Sequence, residues 1–152
     1  MARYANQVGK ATSSVTIGVA SIEAPGSGMR RFKLYEAIFG SDAATPADNA
    51  FRFELNRSTT AATGTAVTPE PLDMADAPSV TLLKTNLTVQ GTNTAGKIPL
   101  TVPLNQRATF RWVANPGCEI VVPATATYGL HLNTPVASNT PSVAATLMFE
   151  EQ

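Results

Sequence analysis

Apolar and polar residues alternate along most of this chain, with the two-residue period of strands and not the 3.6-residue period of helices. The clearest case is Arg107–Val113. Ala108, Phe110 and Trp112 point one way there, and Arg107, Thr109 and Arg111 the other. Asn115-Pro116-Gly117 follows, then a second apolar run, Cys118–Val122, ending at Pro123. Two such runs joined by a Pro-Gly turn predict a hairpin. Tyr128, Leu130 and Leu132 alternate as its third strand.

The same period recurs elsewhere. Val15–Ile22 predicts a strand whose parity switches near Gly18, which implies a bulge or bend. In Met29–Phe39, Phe32 and Leu34 share one face with Ile38, and Arg31, Lys33 and Tyr35 share the other. Phe51, Phe53 and Leu55 face inward from Phe51–Arg57. Ser58–Thr68 reads as an exposed loop. Pro69–Pro78 allows one helical turn between its prolines. Ser79–Val89 reads as a strand or a pair of short strands. Val143, Ala145, Leu147 and Phe149 face inward from the last strand, which should pair deep in a sheet and tie both ends of the fold together. Residues 1–14 are small and polar without a period and read as an extended N-terminal arm, leaving 15–152 as the domain.

About eight short strands separated by turn signals, with no long helix, predict an all-β fold. The expected architecture is a single antiparallel β-sandwich of jelly-roll or Greek-key type. Prolines 99, 103, 116, 123, 135 and 141 should sit at strand ends or edges, where a missing N–H costs least.

Composition narrows the function. The net charge is zero and 14% of residues are charged, against about a quarter in a typical domain. A nucleic-acid binder would carry a basic excess, so nucleic acid is not an expected partner. No stretch has the roughly 18–20 apolar residues that span a bilayer, so neither is a membrane. The low charge fits extensive contact with other subunits, and equally a neutral, Thr-rich domain without a partner. One cysteine excludes an intrachain disulfide and permits folding in a bacterial cytoplasm.

Candidate chemistry is sparse. Cys118 shares parity with Ile120 and Val122 and should be core, whereas His131 should point to the opposite face, so they cannot exchange a proton. Asp42 with Asp48, and Asp73 with Asp76, lack the spacing and glycine of a calcium loop. Trp112 reads as core more readily than as a sugar-stacking platform. The expectation is therefore no catalytic residue, no metal and no cofactor. Arg30, Arg31 and Lys33 form a basic cluster that could meet an acidic partner, although an ordinary solvated strand face explains it better. Arg107 and Arg111 are the outward positions of the clearest strand. These five are the candidate contacts with neighbouring subunits or a shell.

Two strings, TPEPLDMADAPS at 68–79 and NQRATFRWVANPG at 105–117, sit within a stretch from about residue 30 to 150 that resembles small structural proteins from the head-morphogenesis regions of tailed bacteriophages. That resemblance implies a capsid cement or decoration protein with a β-sandwich body. It further implies a homo-oligomer, most often a trimer, that binds the major capsid protein on the virion surface. The alternative is a host-recognition or carbohydrate-binding module of a tail tip or head fibre, reading ligands through loops 58–68 and 133–141.

Overall fold

The computed structural model describes residues 1–11, 18–24, 30–125, 128–135 and 142–152. Among these the chain forms twelve strands and no helix. They are β1 (Arg3–Ala11), β2 (Ala20–Glu23), β3 (Phe32–Ser41), β4 (Ala50–Ser58), β5 (Thr63–Val67), β6 (Glu70–Pro71), β7 (Leu82–Val89), β8 (Leu100–Asn105), β9 (Phe110–Val113), β10 (Ile120–Val122), β11 (Gly129–Asn133) and β12 (Ser142–Glu151). They build two antiparallel sheets. One runs β10-β3-β12-β1-β6, with β9 also on β3; the other runs β5-β7-β2-β11-β4-β8. We call them the β12 sheet and the β11 sheet after strands near their centres. The chain changes sheet at every connection except β4–β5, β7–β8 and β9–β10, so the two sheets are interleaved in sequence. The fold is the expected antiparallel β-sandwich.

β12 carries the strictest alternation. Val143, Ala145, Leu147 and Phe149 are buried while the residues between them are partly exposed. It pairs with β1 from Arg3↔Glu150 to Ala11↔Ser142 on one side and with β3 on the other. From the opposite sheet, Ala20, Ile22, Phe51, Phe53, Leu55, Leu83, Leu130 and Leu132 meet this face in one continuous core. Aromatic rings anchor it. Phe149 stacks on Tyr4 at 5.5 Å and meets Phe32 edge-on at 5.7 Å, and Phe39 stacks on Phe53 at 4.9 Å. At the strand's end the inward position falls to an acid, Glu151. Its Oε1 accepts from Ser79 Oγ and from the Thr81 amide at 2.7 Å, while Oε2, buried without a hydrogen bond, has Arg30 Nη1 3.6 Å away.

Several local expectations change. Residues 1–14 are not a free arm over the described part, because Arg3–Ala11 pairs with β12 throughout and with β6 at Tyr4 and Ala5. Tyr4, Asn6 and Val8 alternate inward, but Asn6 and the intervening small residues hide the apolar signal. Residues 12–14, and 15–17 of the first predicted strand, lie outside the described residues. In β3 the pairing jumps from Met148↔Glu36 to Phe149↔Leu34, so Tyr35 is an extra residue. This bulge flips the parity beyond it. Ala37 and Phe39 become core, and Ile38 turns to the opposite face from Phe32 and Leu34. Ser58–Thr68 contains β5, which pairs with β7 through Ala66 and Val67. Pro69–Pro78 forms no helix: Glu70 and Pro71 add a short edge strand, and the amides of Ala75 and Asp76 fold back on Asp73.

The predicted hairpin is replaced by a different arrangement. β9 and β10 do not pair with each other. β9 pairs with β3 at Glu36–Phe39 and β10 with β3 at Phe32–Leu34. They are two halves of one edge strand, interrupted by residues 114–119. The break falls opposite the Tyr35 bulge, where the Ala114 amide donates to the Tyr35 carbonyl at 2.8 Å. The Pro116-Gly117 turn does form. The Cys118 amide closes it onto the Asn115 carbonyl at 2.8 Å, with Gly117 at φ +84°. It terminates an excursion and not a hairpin.

Removing the Phe149 ring should test how far β12 organises the core. Phe149→Ala is expected to cost about 3–5 kcal/mol, read as a lower midpoint in urea unfolding; a loss under about 1 kcal/mol would show that the Tyr4 and Phe32 contacts are dispensable.

Candidate interaction surfaces

A sandwich buries two inner faces and leaves two outer ones. Here the outer faces differ. On the β11 sheet, Ser21, His131 and Asn56 lie side by side across β2, β11 and β4, with Glu23 and Ser58 flanking Gly129 in the next row. All are outward positions, yet all are buried. The cover comes from the β4–β5 and β7–β8 loops. Thr59 and Thr94 amides bond to Thr92 and Arg57 carbonyls, and the Thr92 amide donates to Thr60 Oγ1 at 2.6 Å. Gly91 sits where a Cβ would collide with the Thr60 carbonyl and the His131 ring.

Glu23 pins this cover. One carboxylate oxygen accepts from the Ala62 amide at 2.7 Å and the other from Lys84 Nζ at 2.8 Å, while Lys84 also donates to the Ala62 carbonyl at 2.7 Å. His131 Nε2 lies 3.8 Å from Glu23, and Nδ1 is 2.8 Å from Asn93 Oδ1. Burial would raise the Glu23 carboxyl, but the nearby His131 ring, the Lys84 and Ala62 hydrogen bonds and the Ser21 hydroxyl together outweigh it and lower the pKa to about 2. The expectations for His131 and Cys118 both invert. His131 is fully buried, because loops cover the face that parity assigned to solvent. Cys118 is exposed, because it precedes β10 and belongs to the excursion. His131 lies within the β11 sheet, whereas Cys118 lies in a loop attached to the β12 sheet.

Among the described residues, no such lid covers the outer face of the β12 sheet. At one end Gly9, Ala144 and Gly40 stand in a row, followed by Gln7, Thr146 and Ile38. With Asp42 and Thr109 they line a shallow groove of about 400 Å³. At the other end Arg3, Glu150 and Lys33 form a row beside Tyr35 and Glu119. Arg3 sits 3.7 Å from Glu150 and lies over the Tyr35 ring. The face thus carries mostly small side chains at one end, with Asp42 and Arg111 at its margin, and a balanced mosaic of charges at the other.

The five candidate basic residues do not form a single patch. Arg30 Nη1 reaches Glu151 at 3.6 Å, Lys33 joins the mosaic, and Arg111 Nε donates to Glu36 at 2.6 Å. Arg31 is exposed just before β3, and its carbonyl accepts from the Gln152 amide at 2.8 Å. Arg107 is exposed in the β8–β9 turn, where its amide donates to Asn105 Oδ1 at 2.9 Å. Neighbouring acids neutralise three of the five, a pairing between distant segments that sequence order hides.

The sheet edges are managed differently as well. β6 contains Pro71, β8 contains Pro103, and Pro123 ends β10, all of which obstruct further strand addition. β9 has no proline, and its Phe110 and Val113 are exposed, while Trp112 packs against the core. Phe110 was expected inside; an edge strand leaves it half uncovered. Among the described residues no three His, Cys, Asp or Glu side chains gather as metal ligands. Asp48 accepts from Asn105 Nδ2 at 2.6 Å, and Asp73 organises its own turn. No family model, curated protein or solved structure matches this chain.

The Glu23 network sets a pH dependence. The folded carboxyl titrates below its ordinary value of 4.5, so the ionised form stabilises the fold at neutral pH. That contribution is lost as pH falls from about 4.5 through about 2. Glu23→Gln should lower the urea midpoint at pH 7, and the gap to the parent should close as pH approaches 2. A gap that stays constant over that range would contradict the assignment.

Proposed function

We propose that this chain is a virion structural protein of a tailed bacteriophage, one that decorates the assembled capsid and cements it, working as a trimer. The observation that carries this reading is the bare outer face of the β12 sheet, next to an edge strand with exposed Phe110 and Val113. Strands lie about 4.8 Å apart and rise about 3.3 Å per residue. β1, β12 and β3, with nine or ten residues each, and the short β9 and β10 beside β3 therefore offer roughly 600 Å² in plane, before side-chain relief is added. A standard interface buries about 800 Å² per partner. One such face, with the adjoining edge, suffices for one specific contact.

The strand order supports the same reading. With β5–β7 set aside as an insert, β1-β12-β3 with β9 and β10 faces β2-β11-β4-β8. We infer from this order a jelly roll, an architecture common among viral coat proteins. Its mechanism of cementing is thermodynamic. A protein that binds the assembled shell and not free subunits shifts the equilibrium toward assembly by mass action. Trimeric attachment multiplies modest contacts into durable ones. A nearly neutral face with paired charges suits this, because few ions need to be stripped of water without a partner.

The test is co-sedimentation with expanded capsids, alongside light scattering for subunit number. The parent should be trimeric and pellet with the shells. Thr146→Arg, placed on the bare face, should abolish pelleting or trimerisation without moving the thermal midpoint, whereas Thr101→Arg on β8 should do neither. The double reversal Arg107→Glu, Arg111→Glu should weaken pelleting. A monomer that stays in the supernatant would refute the proposal.

A further inference from the structure

We propose that the cleft between the ends of β4, β10 and β11 binds an acidic saccharide, holding its carboxylate with Arg57 and Lys97 and one sugar face against Tyr128. The cleft has a volume of about 360 Å³, at the small end of the range for small-molecule sites (about 300–1,000 Å³). The inference does not depend on shell binding, which is assigned to the outer face of the β12 sheet and not to this cleft at the strand ends.

Two cations converge there, and among the described residues no carboxylate lines the cleft. Elsewhere on the described chain, Arg3, Arg30, Arg52, Lys84 and Arg111 each stand against an acid. Arg57 instead donates from Nη1 to the Val121 carbonyl at 2.7 Å. That bond fixes the guanidinium without neutralising it. A guanidinium has five N–H donors, so donors remain for a carboxylate. The backbone places the second cation alongside. The Arg57 amide donates to the Lys97 carbonyl at 2.9 Å, and the Thr94 amide to the Arg57 carbonyl at 2.8 Å.

The walls decide the kind of anion. Pro123 and the half-exposed Tyr128 ring give apolar surface on one side. Ser58, also in the lining, is buried, and its hydroxyl has no hydrogen-bond partner. An inorganic anion has no use for the ring, and a neutral sugar has no use for two cations. A uronic-acid unit uses both: its C–H face packs on the aromatic ring, its hydroxyls meet Ser58 and Thr94, and its carboxylate meets the guanidinium.

Binding can be read by NMR titration of the whole protein with three probes: trigalacturonate, maltotriose and sodium sulfate. Trigalacturonate should bind saturably and shift the amides of Ser58, Lys97 and Tyr128, more weakly as salt is added. Lys97→Gln and Tyr128→Ala should each weaken it about fivefold or more with the thermal midpoint unchanged. Both residues are exposed, so the test survives even if Arg57→Gln fails to fold. Equal affinity for maltotriose would overturn the proposal. So would sulfate binding as tightly as the saccharide, or no saturable shift with trigalacturonate. None of these results would bear on capsid co-sedimentation, so this proposal and the shell-binding reading fail separately.

Discussion

The pairing of β12 on both its flanks is the constraint on which the sandwich rests. β12 joins β1, near the other end of the chain, to β3, and all three lend their inward side chains to one core. Sequence separation makes these contacts costly in chain entropy, so they form only because the alternation of Val143, Ala145, Leu147 and Phe149 is unbroken. A slip of one residue would turn all four to the outside. The Tyr35 bulge is where β3 adjusts to that fixed register. Because β3 also carries β9 and β10 on its far side, the bulge is matched there by the excursion of residues 114–119.

The second physical theme is the unequal treatment of the two outer faces. The β11 sheet covers its own outer face with loops, at the cost of burying Glu23, His131, Ser21 and Asn56. Burying a carboxylate is tolerable only when donors surround it, and the Ala62 amide and Lys84 supply the closest hydrogen bonds. The β12 sheet leaves its outer face flat, half-exposed and close to electrically balanced. An uncovered flat face beside an unblocked edge strand is where a partner fits with the least rearrangement.

Much of this was legible in the residues. Phe51, Phe53, Leu55, Leu130, Leu132 and the alternating residues of β12 are core as their period requires, and prolines 99, 103, 116, 123 and 135 fall at strand ends, edges or loops. The misreadings share a cause. Parity separates the two faces of a strand but does not say whether the second face is dry. Nothing local to His131 reveals that Gly91 and Thr60 lie over the face it points to. Parity puts Cys118 in the core, but the chain leaves the sheet between Val113 and Ile120, and only the partner strand β3 determines where. The N-terminal strand has no clear period because Ala5, Asn6 and Gly9 dilute the pattern of Tyr4 and Val8. The Arg57–Lys97–Tyr128 cleft was also hidden, since it unites three separate loop and strand ends.

If the outer face of the β12 sheet is the docking face, side-chain footprinting reads it directly. Hydroxyl-radical labelling of the protein, free and bound to expanded capsids, should show Tyr35 and Met148 protected by binding, together with Phe110 at the edge. Met74 and Tyr128, exposed elsewhere, should label equally in both states. Unchanged labelling of Tyr35 and Met148, with protection confined to the β11-sheet loops, would contradict it.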